Sequence, residues 1–354
     1  MVKCSICAAA LICILAVLCS VCAAAAPEVS ARSAVVMDAA SGRCLYEKNA
    51  DARSLVASTT KIMTALLVCE QCDLQRLVTV PPQAAGVEGS SMGLAAGERL
   101  TVEALLYGLM LRSGNDAAVA LAVACDGSVS RFAARMNARA RALGLENTHF
   151  DNPNGLDSEQ NYSTAHDLAV LTRAALQNEQ FRAIVGTKNK TIAGRTLTNH
   201  NKLLWRYPGA TGVKTGYTKR AGRILVSSAV QNGWEAICVT VSDPDDWRDH
   251  ARLLDYVFET YTPYTAVQAG ERLARVPVFD GAEDGVGVLC AQDLLLPITG
   301  GECVSVRVFA PHYAFAPVLC AEAGYAEILL NGAPVGRVAL YYETPVAQAA
   351  RGGK

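Results

Sequence analysis

Val56–Leu66 reads V-A-S-T-T-K-I-M-T-A-L, with a lysine three residues after a serine where an apolar helical pattern begins. Residues three apart share a helix face, so Ser58 and Lys61 can touch while Ile62, Ala65 and Leu66 turn toward a core. A lysine amine beside a hydroxyl can act as its base. The same residues also read as a serine helix cap followed by a solvated lysine, since both are ordinary in those places. S-x-x-K is expected by chance about once in a chain this long. The rest of the sequence has to separate the two readings.

The chain has 354 residues, 51% of them apolar, which allows roughly two domains with a full core. Lys and Arg total 32 against 33 acidic residues. That balance provides no basic field for nucleic acid and no acidic tail, so a small or locally recognised ligand is expected.

Residues 1–26 carry one early lysine, a long apolar run and small residues at Ala23–Ala26. This is the pattern of a cleaved secretory signal, which predicts an exported protein, soluble once the segment is removed. The uncharged run from Cys4 to Ala26 is also just long enough to span a bilayer, so membrane association is expected only if it stays attached. The last residues, T-P-V-A-Q-A-A-R-G-G-K, are too short and too weakly apolar for an amphipathic anchor. Five of the 13 cysteines fall in the leader, and the others are scattered. Export permits disulfides, but sparse cysteines also pack as small apolar groups. Cys69-x-x-Cys72 is the one spacing that suggests a redox or metal pair. With no second C-x-x-C after the leader, no H-x-x-x-H and five dispersed histidines, no metal or other cofactor is expected.

Residues 34–49 read as two strands joined at Ser41-Gly42, and a helix starts near Ser58. A second apolar-periodic helix, Gly97–Arg112, is interrupted by S-G-N-D and resumes until Asp126-Gly127. Arg131–Leu143 and Thr164–Gln177 read as helices, with loop chemistry at Asn152-Pro153-Asn154-Gly155. Past Pro208 come three strands, with a turn at Gln231-Asn232-Gly233, and a last helix over Trp247–Tyr261. Strands at both ends around a helical middle imply an α+β domain whose sheet draws on both chain ends. From about Pro263 short alternating runs imply a separate small all-β domain. The expected boundaries are 1–26, 27–262 and 263–354.

Three motifs occur in order: S-T-T-K at Ser58–Lys61, S-G-N at Ser113–Asn115 and K-T-G at Lys214–Gly216. They fall at a helix start, a break between helices and an edge-like strand. This three-part signature occurs in penicillin-binding proteins and class A β-lactamases, with S-D-N in second place. Nearly all of the chain after the leader resembles the low-molecular-mass penicillin-binding D-alanyl-D-alanine carboxypeptidases. Further matches are F-x-x-x-M-N at Phe132–Asn137, L-G-L-E-N-T-H-F-D-N-P-N-G-L-D at Leu143–Asp157, Y-S-T-A-H-D at Tyr162–Asp167, and T-N-H-N-K-L-L at Thr198–Leu204. The β tail looks like that family's second domain. The resemblance implies a β-lactamase/transpeptidase-like catalytic domain, peptidoglycan stem peptides ending in D-Ala-D-Ala as substrate, and β-lactams as covalent inhibitors.

It also implies roles. Ser58 would attack the D-Ala-D-Ala carbonyl, with Lys61 as base, its pKa lowered by burial and by Lys214. Ser113 would pass a proton to the departing amine. Asn115 would contact the substrate amide and Lys61, and Lys214 and Thr215 would hold the terminal carboxylate. Gly216, lacking a Cβ, would let the substrate strand approach. The N–H groups of Ser58 and Tyr217 would form the oxyanion hole. His200 stands where some relatives have a carboxylate-binding arginine, and an imidazole is only partly protonated near pH 7. Tyr217 replaces a histidine of some relatives, which affects a side-chain role but not a backbone donor. A class A β-lactamase would need a deacylating glutamate, and no E-x-x-L-N lies between Ser113 and Lys214. A cross-link endopeptidase would use the same residues. A non-catalytic wall-binding or penicillin-sensing module would be expected to have lost one of them.

Overall fold

The computed structural model describes residues 25–349, so most of the expected leader lies outside the described residues. A five-stranded antiparallel sheet forms the centre. In chain order its strands are β1 (Ser33–Asp38), β2 (Cys44–Lys48), β3 (Ala210–Thr218), β4 (Gly222–Gln231) and β5 (Trp234–Val241), and in space they run β2-β1-β5-β4-β3. The sheet thus draws on both ends of the segment 33–241, and the K-T-G strand β3 is an edge. Both faces are covered, so all six residues of β1 are buried. Val35 and Met37 point into one core and Ala34 and Val36 into another, as strand alternation requires.

On the first face lie α1 (Lys61–Gln71), α2 (Val102–Leu111), α3 (Asn115–Asp126), α4 (Val129–Ala142), α5 (Ala165–Leu176) and α6 (Glu179–Gly186). The helix Asp246–Thr260 covers the other face through Leu253, Leu254, Val257 and Phe258. Several boundaries differ from the periodic pattern. Residues 99–101 are a short strand and α2 begins only at Val102, because the Thr101 hydroxyl accepts from Ala104 N and caps the helix there. At Ser58 the chain makes a 3₁₀ turn, Ala57–Thr60, before α1 begins at Lys61. The helix α6 and the hairpin Asn189–Ile192 with Arg195–Thr198 have no counterpart in the sequence reading.

After Thr260 the described residues hold strands and no helix. Six strands pair in the spatial order Val304–Phe309, Glu322–Leu330, Ala333–Tyr342, Gly285–Cys290, Arg272–Phe279, Ala314–Phe315, with Thr262–Val267 and Leu294–Ile298 as a separate pair. A third hydrophobic cluster, drawn wholly from this part, includes Val276, Val288, Ile328 and Leu340. Arg43 ties the two parts together by donating to the Pro297 carbonyl and the Glu302 carboxylate. Among the described residues no single helix is long and apolar enough to cross a membrane.

Candidate active site

The turn that carries Ser58 is held from several sides. Ala57 has a left-handed φ of 45°, and the Thr59 hydroxyl and N–H both donate to Val56 O. No side chain caps the turn or α1, so Ser58 is not the helix cap that the alternative reading required. Its Oγ instead lies 2.8 Å from Lys61 Nζ.

Lys61 has no exposed surface. Besides Ser58, its Nζ donates to Asn115 Oδ1 at 2.7 Å and to the Asn154 carbonyl. Burial is the largest influence on this amine, and with the cation of Lys214 it holds the pKa well below the usual lysine range; Asp116 opposes weakly. A neutral amine has two N–H groups and one lone pair. Asn115 Oδ1 and Asn154 O are pure acceptors and take both N–H groups. The lone pair is left for the Ser58 O–H, which is the geometry a general base needs.

The break between α2 and α3 supplies the second motif. Ser113 has φ 58°, and α3 starts at Asn115. Asn115 Nδ2 donates to Glu88 O at 2.6 Å, and Asn115 N donates to Ser90 O at 2.7 Å. Its amide is anchored within the protein, Oδ1 accepting from Lys61 and Nδ2 donating to Glu88 O. The next residue, Asp116, is buried and accepts from Ser91 Oγ, Met92 N and Leu94 N, fixing the loop that brings Ser90 to the site.

On β3, Lys214 is only 1% exposed and its Nζ donates to Thr215 O. Burial lowers it to about 7. Lys214 stands behind the wall rather than in it. A Cβ at Gly216 would lie 3.2 Å from Val56 O and 3.3 Å from Thr59 Cγ2, so its absence lets β3 close on the serine turn.

The open cleft, about 260 Å³, is lined by Ser58, Ser90, Ser113, His200, the Thr215-Gly216-Tyr217 segment and a group of Arg223, Asp246 and Trp247. A cavity of about 740 Å³ lies elsewhere, lined by Arg173, Trp234, Leu295 and Pro297 among others, and includes none of the motif residues; chemistry, not size, locates the site. His200 sits on a loop that Asn199 pins through Val185 O and Thr187 O. Burial, Lys214 and Arg112 push its imidazole down to about 4, so it is neutral at pH 7 rather than partly protonated.

Several residues of the site were not singled out in the sequence. Arg223 lies opposite Tyr217 in the β3–β4 register, and its guanidinium forks onto the buried Asp246 carboxylate at 2.7–3.1 Å. Asn154 orients Lys61, and Gly155 packs with its missing Cβ against Ala57 O. The string N-P-N-G was visible as loop chemistry, but its partner lies 93 residues away. Cys72 is not paired with Cys69; its Sγ lies 2.8 Å from that of Cys125.

Comparison with known proteins matches residues 20–245 to the D-alanyl-D-alanine carboxypeptidase family, peptidase S11. The carboxypeptidase DacF of Bacillus subtilis is 35% identical over 285 residues, covering 77% of this chain and 73% of that one. Penicillin binding protein 5 from Haemophilus influenzae superposes with a TM-score of 0.77 at 29% identity, over 91% of this chain and 99% of that one. A variant of the Streptomyces K15 DD-transpeptidase, 36% identical with a TM-score of 0.64, covers 66% of this chain and 99% of its own. With its Ser–Lys pair, its S-G-N turn and its K-T-G edge strand around one cleft, this chain belongs to the D-alanyl-D-alanine carboxypeptidase family of serine peptidases.

Proposed function

We propose that Ser58 is the acylated nucleophile through which this carboxypeptidase removes the terminal D-alanine of peptidoglycan stem peptides, with Lys61 as its base. The observation that carries the reading is the buried amine of Lys61, with two carbonyl acceptors for its two N–H groups and the Ser58 hydroxyl at its third position. As Oγ attacks the D-Ala-D-Ala carbonyl, its proton passes to Nζ. The developing oxyanion lies on the N–H groups of Ser58 and Tyr217. Ser113, across the cleft, carries the proton to the departing amine. Water then attacks the acyl-enzyme, again with Lys61 as base, and releases the shortened peptide.

The substrate's terminal carboxylate lies against Thr215 and Arg223, with the His200 side chain at that end of the cleft and the buried Lys214 amine acting through its charge. Arg223 is supported in this role by its place on the cleft wall and by Asp246 and Trp247, which fix the fork. A β-lactam amide enters the same acylation, but its leaving amine stays tethered to the acyl group. We place the enzyme outside the cytoplasm, at the cell wall, with 27–262 as the catalytic unit and 263–354 as the β unit; the self-contained third hydrophobic cluster supports that division.

The test is D-alanine release from a diacyl-L-Lys-D-Ala-D-Ala peptide by the parent, Ser58→Ala and Lys61→Ala. Release by the parent and loss in both variants is the expected result. If the parent releases none while penicillin still labels Ser58, the natural bond is a peptide cross-link and the enzyme is an endopeptidase.

A further inference from the structure

The C-x-x-C spacing suggests Cys69 with Cys72, but the two side chains separate. Cys69 is buried in the main core, and burial pushes its thiol up to about 12. Cys72 follows the last turn of α1 and turns toward Cys125, in the last turn of α3. Their sulfurs are 2.8 Å apart, and a movement of less than about 1 Å brings them to the bonded separation of about 2.05 Å. Both residues are half-buried at the rim of the core, so a small oxidant can reach them.

The surroundings favour reaction at Cys72. Arg76 donates to Ala124 O, beside Cys125, and Arg135 donates to Gln71 and pairs with Asp126. The contact with Cys125 holds the Cys72 thiol below its ordinary range against its burial, and the two guanidiniums act in the same direction; Asp126 opposes. A thiol held below its ordinary range with a resolving thiol in contact has the features of a disulfide-forming pair.

We propose that Cys72 and Cys125 are a modification site, a thiol pair that oxidation closes into a disulfide joining the C-terminal ends of α1 and α3. The Cys72 thiolate attacks a small-molecule disulfide such as oxidised glutathione, forms a mixed disulfide and displaces one thiolate. Cys125 loses its proton to solvent and attacks the Cys72 sulfur, and the second thiolate leaves. The protein loses two hydrogens and the oxidant becomes two thiols.

The location gives the bond its consequence. At their other ends α1 and α3 carry Lys61 and Asn115, hydrogen-bonded to each other at 2.7 Å. The disulfide clamps the same two helices at the opposite end, about 16 Å away along α1. It closes a loop between positions 53 apart, which restricts the unfolded chain.

The experiment is a peptide map of the full protein after equilibration with oxidised or reduced glutathione, with free thiols alkylated in denaturant before digestion. The oxidised sample should yield a linked Cys72–Cys125 peptide, two hydrogens lighter than the sum of its parts, and Cys69→Ser should leave it unchanged. The oxidised parent should unfold several degrees above the reduced one, and Cys125→Ser should abolish that difference. A Cys69–Cys72 link, or alkylation of both Cys72 and Cys125 after oxidation, would overturn the pairing. Equal unfolding midpoints in the two redox states would overturn the clamp.

Discussion

Replacing Gly155 by alanine tests whether the loop that orients Lys61 also fixes the nucleophile. Gly155 has φ +82°, and a Cβ there would lie 1.9 Å from Ala57 O, 2.4 Å from Ala57 C and 3.0 Å from Ser58 N. Left-handed backbone alone costs a non-glycine residue roughly 1–2 kcal/mol. The overlap is a separate effect. Both partners are backbone, and neither can swing aside as a flexible side chain could. One of them must retreat by about 1 Å, and a misplacement of that size costs about 10²-fold in rate. Either retreat damages the site, since one moves the Ser58 turn and the other moves the Asn154 carbonyl off Lys61. Gly144→Ala is the control, because Gly144 has φ +73° with nothing within 4 Å of a built Cβ. It carries the conformational strain without the clash. The assay is the second-order rate of Ser58 acylation by a fluorescent penicillin, with thermal unfolding in parallel. Gly144→Ala should lower the unfolding midpoint slightly and leave acylation alone. Gly155→Ala should slow acylation by about 10²-fold, or roughly 2.7 kcal/mol of barrier. Acylation within about threefold of the parent would refute the idea that this contact positions the serine.

Removing the neighbouring cation with Lys214→Met should raise the Lys61 pKa, so the acid limb of the acylation pH profile moves to higher pH; an unmoved limb would mean that burial alone sets the amine. Asn115→Asp puts a carboxylate in the place of a neutral acceptor 2.7 Å from Lys61 and faces Glu88 O with an acceptor instead of a donor. It should raise the same limb by about 1–3 pH units, whereas unchanged acylation at pH 7 would exclude a neutral working amine. Arg223→Met should raise KM for the D-Ala-D-Ala peptide by on the order of 10–10²-fold, the loss of a charged hydrogen bond, yet leave a substrate ending in D-alaninamide nearly unaffected. Equal losses on both would place Arg223 outside carboxylate recognition. His250, buried between Ser227 Oγ and Thr240 Oγ1, is lowered by burial to about 3. Its folded pKa lies below the unfolded value, so its contribution is present above pH 6.5 and is lost as pH falls toward 3. Urea unfolding should therefore show about 3 kcal/mol less acid loss between pH 7 and pH 4 in His250→Gln than in the parent.

The parts of the fold that were legible in the sequence are those set by local periodicity. The sheet strands, α3 to α5 and the β-rich tail follow from alternation and apolar spacing within single windows. The hairpin at 189–198 was missed for a local reason. The hairpin residues N-K-T-I and R-T-L-T bury only Leu197, so they show little of the alternation that marks a half-buried strand. The helix expected near Ser58 begins there as a 3₁₀ turn, Ala57–Thr60, which runs into α1 at Lys61.

The site divides along the same line. Ser58 and Lys61 meet through an i,i+3 spacing, and their pairing could be posed from eleven residues alone. Everything that makes the pair reactive comes from far along the chain: Asn115 from 54 residues away, Asn154 from 93, and Lys214 from another strand of the sheet. Motif order could nominate Asn115 and Lys214, but not say which atoms they use. Asn115 holds Lys61 through Oδ1 and Glu88 O through Nδ2, and Lys214 acts through charge from behind the wall. Arg223 could not be nominated, because its place depends on register with Tyr217 and on a carboxylate 23 positions later. Gly216 and Gly155 share a physical reason that only the folded chain reveals. Each removes a Cβ where a second backbone must come close to the serine turn, so both belong to the positioning of the nucleophile, whatever else Gly216 does for substrate.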